Sequence, residues 1–220
     1  MPRLRPVFRW TAQTLFTLTS LAVGAYAFAY LFRGFRAGDP FAAQFALSGW
    51  DVPLHFFGAG LALLLAPLQL AAVVRRRLPA LHRTAGWLYV AAVLAGGASG
   101  LSLAFDAQGG AASGTGFALL ALLWVAITVR GVLFAMAGDI ARHRRWMCRS
   151  LALTFAAVTL RVMLAVGPGM LGLPFLPVYI TAAWASWLVN LAVCEAILRR
   201  PVPRPGGDGD THWGSRPAVA

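Results

Sequence analysis

Six apolar runs, each about 20 residues long, are separated by short segments that hold nearly all of the charge. A run of that length crosses the ~30 Å hydrocarbon core of a bilayer as a helix, because no water is there to satisfy an open backbone. The runs cover Trp10–Phe32, Pro53–Val74, Ala85–Phe105, Gly116–Ala137, Met147–Gly167 and Val178–Leu198. With 59% hydrophobic and 12% charged residues, a chain of this size carries more apolar surface than one soluble core can enclose. The expected fold is all-α, a polytopic membrane helix bundle of about six transmembrane helices over residues 1–200. The Pro- and Gly-rich stretch 201–220, which contains His212, reads as a disordered cytoplasmic tail.

Charge sets the expected orientation. The nineteen basic residues are all Arg. Three precede the first run (Arg3, Arg5, Arg9), and Arg75, Arg76, Arg77 and Arg83 separate the second from the third. Arg142, Arg144, Arg145 and Arg149 separate the fourth from the fifth, and Arg199, Arg200, Arg204 and Arg216 follow the sixth. The alternate connections hold only Arg33 and Arg36, with Asp39, Asp51 and Asp106 nearby. The positive-inside rule then places both termini in the cytoplasm of a bacterium, with the protein in its inner (plasma) membrane. A net charge of +12 raises nucleic acid as a partner, but its confinement to alternate loops marks a topology signal instead. The Arg-bearing start of the first run also fits a secretory signal; its apolar stretch is longer than a signal core, so a retained helix is expected. Cys148 and Cys194, in no CxxC pair, are expected to be reduced packing residues.

Polar side chains at membrane depth are costly and mark candidate sites. On the second run, His55, Gly58, Ala59, Ala62, Ala66 and Gln69 share a helical face, either a close packing seam or a cavity wall. His82, Gly86, Tyr89, Val93, Gly96 and Gly100 align on the third. Ser150, Thr154, Ala157 and Arg161 align on the fifth, where Arg161 is too deep to snorkel and is expected to find a partner inside the bundle. Arg130 and Glu195 agree in depth, which makes an ion pair between them feasible. Asn190, on a face with Tyr179 and Ser186, is expected to hydrogen-bond across helices.

Two similar segments stand at the cytoplasmic ends of the third and fifth runs: His82-Arg83, followed by Trp87, and His143-Arg144, followed by Trp146 and Arg149. They suggest a degenerate repeat of two helix pairs. Three chemistries fit them. The segments act as headgroup-level anchors, or His82 and His143 bind a b-type haem between two helices. In the third, the Arg cluster holds an anionic ligand or the headgroup of an anionic lipid.

The stretches LHRTAGWLYV, RHRRWMCRSLALTFAAVTLR and WASWLVNLAVCE resemble a family of predicted bacterial membrane proteins of unknown function, DUF2306. The resemblance runs from about His55 to Glu195, and His143-Arg144-Arg145-Trp146-Met147-Cys148-Arg149-Ser150 is its most distinctive part. Trp87 stands where the resemblance leads one to expect Arg. It implies a multi-span fold and no particular reaction. By helix count and His placement the chain is more distantly similar to the four-helix cores of b561-type cytochromes.

The sequence lacks a P-loop, HExxH, GxSxG and any Cys/His metal spacing, which argues against soluble-enzyme chemistry. Glu195 is the single acidic residue within the runs, a poor basis for a cation pump. The expected function is binding of a small anionic or aromatic molecule, or a lipid headgroup, in the cytoplasmic half of the bundle. Haem- or quinone-linked redox work is the alternative, and a structural or assembly role in a membrane complex is the third. The candidate binding residues are His55, Gln69, His82, Arg83, Arg130, His143, Arg144, Arg149, Arg161, Asn190 and Glu195.

Overall fold

The computed structural model describes residues 4–33 and 48–200. The connection 34–47, with Arg36, and the tail from 201 onward, with His212, lie outside the described residues. The chain runs through α1 (Leu4–Arg33), α2 (Asp51–Leu70), a short α3 (Ala72–Arg77), α4 (Pro79–Ala104) and α5 (Ala111–Met136). It continues with α6 (Ile140–Thr154), α7 (Ala156–Leu164), a π-helical turn (Ala165–Met170) and α8 (Phe175–Leu198). Among the described residues six helical stretches are long and apolar enough to cross a membrane, the fifth formed by α6, α7 and the π turn together.

Several of these helices begin well before their apolar runs. α4 starts at Pro79 rather than Ala85, and α6 at Ile140 rather than Met147. Counting apolar residues stops at the first arginine, but a helix does not. Arginine is a good helix former whose long stem lies along apolar surface while its head reaches water. His82, Arg83, His143 and Arg144 therefore belong to helices rather than loops.

Local chemistry defines the ends. Pro79 opens α4, where a missing N–H leaves nothing unsatisfied. Asp139 caps α6 by accepting from the Arg142 backbone N–H at 2.9 Å. The turn into α5 needs a left-handed backbone at Gly109 (φ 86°) and Gly110 (φ 59°). At the end of α2, Ala71 is extended, and the Arg75 guanidinium donates to the Gln69 and Leu70 carbonyls at 3.3 and 2.8 Å. Those carbonyls would otherwise end the helix unpaired.

The fifth span is irregular twice. Thr154 turns its hydroxyl back to the Ser150 carbonyl at 3.0 Å, a bond that loosens the ladder where α6 gives way to α7. Further on, Pro168 has no N–H to give, and the helix widens into the π turn, within which Gly167 and Gly169 flank the proline.

α2 and α4 form the most extensive helix pair, and its reason is steric. A Cβ on Gly58 would lie 2.6 Å from the Gly96 nitrogen and 2.7 Å from the Ala92 carbonyl oxygen. Backbone meets backbone there, as small residues permit inside a bilayer. Gly58, Ala62 and Ala66 of α2 and Tyr89, Val93 and Gly96 of α4 are all buried, along the two faces expected from the sequence. Trp124, Leu151 and Trp187 complete the core from α5, α6 and α8.

Candidate functional site

The arginine-bearing segments Arg75–Arg77 and Arg142–Arg149 stand at one end of the bundle, and the principal cavity opens in the opposite half. Its volume is about 850 Å³, and α1, α2, α4, α5, α7 and α8 all contribute to its wall. Alanine, glycine and leucine make up most of the lining, with the aromatic side chains of Tyr26, Tyr30, Phe56, Phe117, Trp124 and Tyr179 set among them. Two strongly polar groups enter this apolar space, His55 from α2 and Arg161 from α7.

Each is aimed by its own surroundings. His55 Nδ1 lies 2.9 Å from the Gly96 carbonyl oxygen. A carbonyl can only accept, so Nδ1 carries the proton and Nε2 of the neutral ring is an acceptor. The ring fits because α4 has glycine at position 100, where a Cβ would press on it at 3.0 Å. Arg161 Nη1 donates to the Ala157 carbonyl at 3.0 Å, and its guanidinium carbon is 5.8 Å from the Tyr26 ring centroid. Among the described residues no carboxylate pairs with Arg161. The partner expected for it inside the bundle is thus one carbonyl and one aromatic face, which leave most of its donors unused. Ser186 adds a buried hydroxyl on the cavity wall with no hydrogen-bond partner among the described residues.

Below the cavity lies a hydrogen-bonded floor. Trp124 Nε1 donates to Thr154 Oγ1 at 2.9 Å, and the Tyr89 hydroxyl is 2.7 Å from the same oxygen. Tyr89 also meets Ser150 Oγ at 2.8 Å, and Ser150 meets Thr128 Oγ1 at 2.6 Å. Every member is satisfied, so the network ties α4, α5 and α6 together and seals the cavity from the arginine-rich end. Ser150 and Thr154 were legible as a polar face on the fifth run; Thr128 and Trp124 carried no signal in the sequence.

The other candidates divide into separate places. Glu195 is held by Arg149, through Nε to Oε1 and through Nη2 to Oε2 at 3.1 Å, with Arg199 at 4.0 Å. The Arg130–Glu195 pair does not form, because Arg130 turns to the other side of its helix and stacks 4.6 Å from the Trp146 centroid. His143 Nδ1 lies 2.8 Å from the Gly131 carbonyl oxygen and pins α6 to α5. His82 has a buried Nδ1 without a partner among the described residues, while its backbone carbonyl accepts from Gln69 Nε2 at 3.4 Å. Asn190 accepts from Thr159 at 3.0 Å and donates to the Ala152 carbonyl at 3.3 Å, a cross-helix clamp on α6 and α7. Arg83 and Arg144 are exposed. His82 and His143 lie within electrostatic range of each other, but neither lines the described cavities. Among the described residues no group of three or more His, Cys, Asp or Glu could hold a metal ion.

No curated protein and no solved structure matches the chain, so the likeness to b561-type cores gains no support. A family model described as "Predicted membrane protein (DUF2306)" matches residues 52–198, two thirds of the chain and every helix from α2 to α8. The segment His143–Ser150 lies within that match, on α6, which packs against α5 and α8. The chain belongs to the DUF2306 family of predicted membrane proteins.

Proposed function

We propose that this protein binds the polar head of a bilayer-soluble amphiphile, aromatic or anionic, in the cavity that holds His55 and Arg161. One observation carries the reading: an arginine with no carboxylate partner among the described residues faces an apolar cavity of about 850 Å³. A guanidinium at that depth is costly unless something compensates it, and a ligand oxygen would do so with a charge-assisted hydrogen bond. His55 Nε2 supplies the complementary acceptor, and the aromatic walls favour a flat ring. The volume lies in the range of small-molecule pockets.

The same donor–acceptor pair suits a quinone head, whose carbonyl would accept from Arg161 and whose reduced hydroxyl would donate to His55. The stacking of Tyr30 on Phe56, with centroids 4.9 Å apart, favours that second reading, because it already forms a flat aromatic wall. The positive-inside rule places the arginine-rich end in the cytoplasm and the cavity in the outer half of an inner membrane. This differs from the cytoplasmic-half site expected from the sequence.

Two experiments test this. Full-length protein in detergent is titrated with oleate and with a short-chain ubiquinone, and binding is read by quenching of tryptophan fluorescence. Saturable binding of at least one probe is expected, weakened about tenfold or more by Arg161→Gln and unchanged by Arg144→Ala. Added salt should weaken oleate but not the uncharged quinone. Absence of saturable binding for both probes, or indifference to Arg161→Gln, would leave a structural or assembly role as the better account. For orientation, reporter fusions after Gln108 and Leu173 should be periplasmic, and those after Arg77 and Arg142 cytoplasmic; the reverse pattern would overturn the assignment.

A further inference from the structure

Another arginine without a carboxylate partner among the described residues lies at the other end of the bundle and on its outside. Arg130 is six residues before the end of α5, about 9 Å along the helix axis. It is exposed, and so are Val129, Leu133 and Met136 beside it, so the described helices leave this face of α5 uncovered. Among the described residues Arg130 makes no ion pair. Its guanidinium carbon lies 4.6 Å from the Trp146 centroid and 5.9 Å from that of Phe134. Arg142 reaches the same Phe134 at 5.5 Å, and its Nε is 3.3 Å from the Asp139 carboxylate.

We infer that Arg130, Arg142, Phe134 and Trp146 form a binding site for a phosphate group bearing one uncompensated negative charge, at the membrane surface of the arginine-rich end. Stacking on an aromatic face engages the plane of a guanidinium and leaves its in-plane N–H fork free. That fork matches two oxygens of a phosphate. The charges agree as well. Asp139 compensates Arg142, and Glu195 compensates Arg149, which itself lies 5.1 Å from Trp146. Of the three arginines that lie over Phe134 or Trp146, Arg130 alone has no carboxylate partner among the described residues, and its charge matches the single negative charge of a phosphodiester. Depth points to the source: an arginine about 9 Å inside its helix end can raise its head to the phosphate level of the adjacent leaflet. Tryptophan is the residue that prefers that level. Anionic phospholipid supplies such a group from within the membrane; free phosphate would supply the same chemistry from water.

The test uses the full-length protein in nanodiscs made from equal parts phosphatidylglycerol and phosphatidylcholine, with co-purifying lipid counted by native mass spectrometry. Wild type should retain phosphatidylglycerol in preference to phosphatidylcholine. Arg130→Gln and Trp146→Leu should each reduce that retention about tenfold. Arg161→Gln, in the other half of the molecule, should leave it unchanged. Millimolar inorganic phosphate that fails to displace the lipid assigns the site to a headgroup, and displacement by it assigns the site to the free anion. The inference is overturned if wild type retains both lipids equally and is not protected from heat by inorganic phosphate. It is overturned equally if Arg130→Gln, folded by circular dichroism, keeps wild-type retention.

Discussion

Gly58→Leu is expected to cost at least about 3 kcal/mol in unfolding of the detergent-solubilised protein, whereas Gly86→Ala is neutral or stabilising by up to about 1 kcal/mol. Both glycines lie on the facing helices α2 and α4, so composition does not distinguish them. Space does. A Cβ at 58 meets backbone at 2.6 and 2.7 Å, atoms that cannot rotate away, so the two helices must part. A Cβ at 86 meets only the Gln69 side-chain oxygen at 3.6 Å, an ordinary contact. Overpacking commonly costs about 1–3 kcal/mol, and backbone-on-backbone contact puts Gly58 at the top of that range or above it. Titration into a denaturing detergent, followed by circular dichroism, measures both variants. Equal midpoints would mean that the α2–α4 approach is not what holds the bundle together.

The Arg149–Glu195 pair provides the second large effect. Side chains of the two are 18% and 28% exposed, so the pair is largely removed from solvent. Arg149→Leu alone leaves Glu195 with only the exposed Arg199, at 4.0 Å, and is expected to destabilise by about 1–3 kcal/mol, less than for a fully buried pair. The double variant Arg149→Leu/Glu195→Leu should recover most of that loss, because it removes both desolvated charges. The same denaturing-detergent titration of wild type, both single variants and the double variant gives the coupling. Additive losses in the double variant would show that Arg149 acts through its stacking on Trp146 rather than through Glu195.

Both of these contacts were only partly visible along the chain. The small-residue faces of α2 and α4 follow from residues spaced three and four apart, and burial of Gly58, Ala62, Ala66, Val93 and Gly96 agrees with that spacing. The partner of Glu195 did not follow. Arg130 and Arg149 both suit it in depth, and the choice depends on how α5 and α6 are rotated about their axes. The anchors of that rotation are the His143 bond to the Gly131 carbonyl and the Arg130 stack on Trp146. A backbone carbonyl has no letter in a sequence, so neither this bond nor the one from His55 to Gly96 can be read there.

The sequence by itself determined the membrane bundle and its six candidate spans, because crossing a bilayer is a local property. About 20 apolar residues suffice, whatever their neighbours do. It also singled out His55 and Arg161, since a polar group in hydrocarbon is conspicuous wherever it occurs. Only the tertiary structure decided that these two share one cavity, that Arg149 rather than Arg130 holds Glu195, and that His82 and His143 flank no described cavity. Chain position sets the depth of a residue at about 1.5 Å per step along a helix. Its direction around the helix acquires meaning only when neighbouring helices pack, and both the cavity and the ion pair are made of directions.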